Sequence, residues 1–204
     1  MTTLLFVRHG VTEANQIGYW QGWEETSLEP VGVQQAEAVA RRIATEFAPQ
    51  AVYTSTLRRA VQTAEPIARA AACPLVLCDG LKEINFGEVS GLTIAQFREK
   101  FTGLFEAWTD KTNLDFHWPG GESRRGFFAR VWGAVDGIIA AHPDGDVVVV
   151  GHGGSLRAAL AHLLPGEFTD WWLYELGNTS LTVVEVPPSG EAVLKALNDS
   201  AHLG

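Results

Sequence analysis

Arg8-His9-Gly10 closes a short apolar run, Leu4-Leu5-Phe6-Val7. An arginine in that place lies close to the core, where an unpaired charge is costly, so something anionic should offset it. The same cation lowers the pKa of His9 beside it and favours the neutral imidazole that a nucleophile must be. Gly10 lets a ligand or a second backbone approach. By itself the tripeptide also fits a turn whose charges are satisfied by acidic side chains. Ser55-Thr56-Leu57-Arg58-Arg59-Ala60 puts two arginines in the first turn of a predicted helix. The macrodipole is positive there, a cost of about 0.3–1 kcal/mol each, and a bound phosphate reverses the sign. A solvated basic pair is the plain alternative. Gly151-His152-Gly153-Gly154-Ser155 sits at a strand-to-helix junction, where backbone N–H groups suit an oxyanion and His152 can donate to it. Glu83, in Leu81-Lys82-Glu83-Ile84-Asn85-Phe86-Gly87, reads alone as one loop carboxylate.

Together these parts meet one demand. Phosphate-monoester hydrolysis needs accelerations of up to roughly 10²¹. Without a metal, the transferring group needs fixed cations and N–H donors around its equatorial oxygens. It also needs an in-line nucleophile and an acid for the leaving alkoxide. Two arginines, two histidines and a glutamate supply that set.

The elements that must position these residues follow from the apolar pattern. Residues 4–7, 51–53 and 75–77 read as short strands, and 147–150, four valines in a row, as a central strand buried on both faces. Residues 31–47 carry apolar side chains at 36, 39, 40, 43 and 47, which is helical spacing, with Pro30 suited to the first turn. Ser55 is expected to cap a helix running to about Ala72. The middle, 93–142, reads as mainly helical with a break at Trp118-Pro119-Gly120-Gly121 and Ser123 as a cap. A helix at 155–164 follows, then a hairpin of 180–186 with 192–197. Alternating strands and helices predict an α/β sandwich on a mainly parallel sheet, with ligands beyond the carboxyl ends of the strands. Both His-Gly segments fall at such ends.

Composition sets the outer bounds. The 204 residues suit a single domain, 1–204, and 46% hydrophobic against 19% charged argues against disorder. A net charge of −9 argues against a nucleic-acid surface and requires any anion to be drawn in by a local cationic pocket. Cys73 and Cys78 are too few for a zinc site and are expected to be reduced packing residues. The start has no basic region before its four-residue apolar run, so no signal peptide is expected, and no stretch approaches a membrane span. A soluble cytoplasmic protein is the expectation.

The stretch from Leu5 to Asn15, reading Leu-Phe-Val-Arg-His-Gly-Val-Thr-Glu-Ala-Asn, resembles the opening signature of the histidine phosphatase superfamily, the phosphoglycerate mutase-like family. Gln21-Gly22-Trp23 follows where that family has a phosphate-contacting pair. The block 55–64 looks like its Leu-x-Arg-Ala-x-Gln-Thr-Ala segment, and this match gives the phosphate-binding role to Arg59 rather than Arg58. Glu83, Gly87 and Gly91 resemble its Glu-x-x-x-Gly-x-x-x-Gly segment, and 151–157 its second His-Gly block. The likeness spans almost the whole chain. It implies a three-layer α/β/α sandwich on a mixed, mainly parallel six-stranded sheet. It implies that His9 attacks phosphorus and becomes phosphohistidine. Arg8, Arg59 and His152 then hold the phosphoryl oxygens with Asn15 and the Gly153 backbone, and Thr12, Gln21 and Gly22 join the substrate-binding set. Glu83 protonates the leaving oxygen and then activates water. No metal and no cofactor are implied. Glu29 departs from the Ser or Thr helix cap common in the family, a matter of stability alone.

Within the family the phosphatase branch fits better than the cofactor-dependent mutases. Those carry a Lys just after the second glycine of the Glu segment, where this chain has Leu92-Thr93-Ile94, and a longer basic insertion before the second His. Pro119-Gly120-Gly121-Glu122-Ser123 looks like the phosphatase branch, while Arg124-Arg125 keeps some anion recognition open. A mutase and a non-catalytic scaffold are the two alternatives. The substrate is expected to be a small phosphorylated metabolite. Trp20, Trp23, Phe86, Trp108, Phe116 and Trp118 lie in or near the predicted mouth; they read either as core or lid packing or as the lining for a bulky or partly apolar leaving group. Trp171-Trp172 is either an interface patch for a homodimer or buried.

Overall fold

The computed structural model describes the backbone of residues 1–204 and every side chain except that of Phe168. In chain order the elements are β1 (Thr2–Arg8), α1 (Glu13–Ile17), α2 (Pro30–Glu46), β2 (Pro49–Thr54), α3 (Arg58–Ala71), β3 (Leu75–Leu77), α4 (Ile94–Lys100), α5 (Thr102–Thr109), α6 (Arg124–Ala141), β4 (Gly145–Gly151), α7 (Gly153–Leu163), β5 (Leu181–Val186) and β6 (Val193–Asp199). The strands form one six-stranded sheet in the order β3-β2-β4-β1-β5-β6. Pairing is parallel from β3 to β1, and β5 runs antiparallel to both β1 and β6.

Strand alternation makes this sheet the middle of three layers. Leu4 and Phe6 of β1 and Val147 and Val149 of β4 point to one core, with Val131 and Val135 of α6 and Leu156 and Leu160 of α7. Leu5, Val7, Val148 and Val150 point to the other, with Val39 and Ile43 of α2 and Ala60, Ala64 and Ile67 of α3. The four valines of β4 have no exposed surface, as a strand covered on both faces requires.

Pro30 opens α2, and Glu29 before it makes no capping bond with its side chain. Ser123 Oγ caps α6 by accepting from Gly126 N–H at 3.0 Å. Ser55, expected to cap α3, does not. The helix begins at Arg58 with Leu57 in the cap position, so Ser55 lies two residues outside it and its hydroxyl is used elsewhere. Cys73 and Cys78 are both free. Among the described residues no helix is long and apolar enough to cross a membrane.

Candidate active site

Parallel pairing sets Arg8 at the end of β1 opposite Gly151 at the end of β4. The two His-Gly turns therefore leave the sheet side by side. His9 N–H donates to Gly151 O at 3.0 Å, and the rings of His9 and His152 are 5.1 Å apart. Ser55 N–H donates to Val150 O at 3.1 Å, which brings the end of β2 and the start of α3 to the same edge.

His9 Nδ1 is 2.8 Å from Gly10 O. A carbonyl only accepts, so Nδ1 carries the proton and, in the neutral ring, Nε2 keeps the lone pair. Burial holds the His9 pKa well below its ordinary value, with Arg59 and then Arg8 adding to it. Arg8, expected to be the cause, thus ranks behind desolvation and behind Arg59. Asn178 Nδ2 donates to His9 O at 2.8 Å and to Asn15 Oδ1 at 3.1 Å. Asn15 Oδ1 also accepts from Thr12 N–H at 3.1 Å, which leaves the amide NH₂ end of Asn15 for the cavity. Thr12 caps α1, is fully buried and does not line the cavity; its hydroxyl lies 3.1 Å from Gln21 Oε1 and positions its neighbours.

Arg59 is buried, with Nη2 donating to Gly22 O at 2.8 Å and Nη1 to Glu24 O at 2.9 Å. Burial lowers its pKa to about 10, so it remains a cation at neutral pH. Arg8 Nη1 donates to Leu176 O at 2.7 Å. The Nε atoms of Arg8 and Arg59 and Nδ1 of His152 are buried without a partner. Three orphaned groups at one strand edge call for an acceptor-rich ligand. His152 Nε2 is 2.8 Å from Ser55 Oγ. That hydroxyl also accepts from Leu57 N–H at 3.3 Å, and in the tautomer where it gives its own proton to Nε2, His152 presents Nδ1–H. Burial holds the His152 pKa well below its ordinary value, with Arg59 next in importance.

Glu83 Oε2 accepts from Gly154 N–H and Oε1 from Ile84 N–H, both at 2.9 Å. A Cβ on Gly154 would overlap that carboxylate. The Glu83 carbonyl is gripped by Trp23 Nε1 at 2.7 Å and Arg130 Nη2 at 3.2 Å. Arg130 also donates to Gly80 O and Lys82 O at 3.0 Å, fastening the whole loop to α6.

These groups enclose a cavity of about 270 Å³ lined by Arg8, His9, Asn15, Gln21, Gly22, Arg59, Glu83 and Gly153 among others. His152, fully buried, packs against His9 and is not among the lining residues. Of the aromatic residues expected at the mouth, Trp20, Phe86, Trp108 and Trp118 line the cavity. Trp23 and Phe116 do not: Trp23 is spent on the Glu83 carbonyl, and Phe116 packs edge-on behind Trp118 at 4.9 Å. Trp171 is buried and lines the cavity, whereas Trp172 is 48% exposed. Asn178, Arg130, Arg157 and Phe127 were not singled out by their sequence context. Arg124 lines the cavity, while Arg125 is exposed and pairs with Asp115. Among the described residues no three His, Cys, Asp or Glu side chains gather to hold a metal ion.

Residues 4–200 match the model of the histidine phosphatase superfamily (branch 1). The chain is 35% identical to a metal-independent phosphoserine phosphatase of Arabidopsis thaliana, over 100% of this chain and 84% of the relative. It is 31% identical to phosphoserine phosphatase 1 of Hydrogenobacter thermophilus, over 100% and 95%. The solved structure of a mutant phosphoserine phosphatase from Entamoeba histolytica, in complex with phosphoserine, superposes with a TM-score of 0.84 at 30% identity, over 100% of both chains. A chain matched along its length in both sequence and fold belongs to the histidine phosphatase superfamily, and within it to the phosphatases.

Proposed function

We propose that the protein hydrolyses phosphomonoesters of small metabolites through a phosphohistidine at His9. His9 Nε2 attacks phosphorus in line, forming the N–P bond as the P–O bond to the leaving group breaks. Arg8, Arg59, the His152 Nδ1–H, the Asn15 amide and the Gly153 N–H take the charge on the equatorial oxygens. Glu83 delivers a proton to the departing oxygen, then accepts one from the water that attacks phosphohistidine, returning the free imidazole. The observation that carries this reading is the His9 Nδ1 contact with Gly10 O, which fixes the tautomer with a nucleophilic Nε2 in a cavity that Arg8 and Arg59 also line. A mutase is not favoured, because Leu92 and Thr93 stand where its lysine is expected. The two free cysteines support a cytoplasmic location.

The test is a single turnover of radiolabelled phosphoester, quenched in alkali, where phosphohistidine survives. Wild type should carry label that acid removes, and His9→Ala should carry none and lose at least about a thousandfold in kcat, in line with loss of a covalent nucleophile. A His9→Ala enzyme that turns over normally would overturn the mechanism. Activity should be unchanged by a chelator.

A further inference from the structure

On the footing of that phosphatase reading, we infer that the cavity beyond the phosphate cage takes a leaving group with a flat apolar body and a carboxylate, and disfavours a cationic one. The wall there is aromatic. Trp20 stacks on Phe86 at 4.9 Å and meets Trp118 edge-on at 5.5 Å, and Trp118 is 3% exposed. Phe127 and Trp171 continue it at 6.4 Å from each other. Rings held in such contacts form a rigid slot that suits a planar group.

The polar groups set into this wall are donors. Arg157 stands on α7 four residues beyond Gly153, hence on the same face and one turn further from the cage. Its Nε donates to Tyr174 O at 2.6 Å, and it has no carboxylate partner among the described residues. Arg124, 5% exposed, donates to Asp110 O at 2.5 Å, Asn113 O at 2.8 Å and Trp108 O at 3.1 Å, and also lacks an ion pair among the described residues. The buried indole N–H of Trp171 has no acceptor. In a chain of net charge −9, Glu83 is the one acid among the lining residues, and Glu83 is already assigned to the proton transfer. Guanidinium groups kept in an apolar wall without acids are stabilised by an anion that completes them, and they repel a cation. The substrate phosphate occupies Arg8 and Arg59, which leaves Arg157 and Arg124 for a second anion. Phosphoserine supplies the carboxylate but brings an ammonium for which this wall holds no free acid.

The experiment compares kcat/KM of the wild-type enzyme on four esters: phenyl phosphate, 4-carboxyphenyl phosphate, O-phosphoserine and 3-phosphoglycerate. The last two differ by an ammonium against a hydroxyl. The carboxylated aryl ester should exceed phenyl phosphate by about tenfold, the size of one charge-assisted contact, mainly through KM. 3-Phosphoglycerate should exceed O-phosphoserine. Arg157→Gln should bring the aryl ratio towards one; if that variant does not fold, the wild-type ratios decide. Equal or reversed ratios overturn this inference alone. An enzyme that hydrolyses none of the four overturns the phosphatase reading with it.

Discussion

The Ser55 hydroxyl meets His152 Nε2 at 2.8 Å and so bears on which ring nitrogen can donate to a bound phosphate. It takes the Leu57 N–H, and in the proposed tautomer it gives its proton to Nε2 and leaves Nδ1–H to donate. Without the hydroxyl the ring can turn or change tautomer, and a donor to the transferring oxygens is lost. Ser55→Ala should therefore lower kcat by about tenfold to a hundredfold, near the lower end of what one lost oxyanion donor costs. The fold should lose about 1–2 kcal/mol, for a buried N–H left without an acceptor. Steady-state kinetics and thermal melts check both, and Ser55→Thr should recover most of the rate. Wild-type kcat in Ser55→Ala would refute the assignment. The residues proposed for the chemistry stand out in the sequence because phosphoryl transfer demands their types, and Arg8, His9, Arg59 and Glu83 line one cavity. Asn178 and Arg130 do not, because what singles them out is their reach to the His9 and Glu83 backbone carbonyls, which leave no mark in a sequence. Ser55 was visible but misread, since a serine near a helix start looks like a cap whether or not the helix begins where expected.

At the scale of elements, the His9 turn is held against α2 by two glycines. A Cβ on Gly32 would overlap the Val11 carbonyl, and one on Gly10 would meet the Gly32 carbonyl oxygen at 2.5 Å. Backbone on both sides cannot give way as a flexible side chain can. Gly32→Ala should cost about 1–3 kcal/mol, the usual range for overpacking. For a chain of this length that lowers the melting midpoint by about 2–4 °C per kcal/mol. Because the strain falls on Val11, two residues from His9, kcat/KM should drop as well. A melt and a rate that both match wild type would show that α2 is not packed this tightly. The strands and long helices were readable from their apolar period, which burial on one or two faces imposes. The close approach of Gly32 was not, since a glycine inside a helical pattern looks only like a weak helix former. The loop between α5 and α6 was likewise unreadable: Arg124 holds it by carbonyls of Trp108, Asp110 and Asn113, a long-range fit that no local propensity encodes.

For the whole molecule, the buried pair His9 and His152 ties stability to pH. Both are buried, and burial with nearby arginines keeps both pKa values well below 6.5 in the folded state. In the unfolded chain a histidine takes up its proton near pH 6.5. Below that pH the unfolded state binds protons that the native state refuses, so stability falls as pH falls, until the folded pKa values are reached. The slope is at most about 1.4 kcal/mol per pH unit for each histidine. An opposing effect comes from net charge: the chain carries −9 at pH 7 with a pI near 5.1, so acidification also relieves self-repulsion. The two are separated by substitution. His9→Asn and His152→Asn remove a titrating group each and leave the surface charge as it was. Denaturant melts between about pH 7 and pH 5.5 should show wild type losing more stability than either variant, by up to about 1.2 kcal/mol over that span. Equal losses in all three proteins would mean that the two imidazoles protonate in the folded state as they do in the open chain. His9 would then be largely cationic at mildly acid pH and unable to attack phosphorus there.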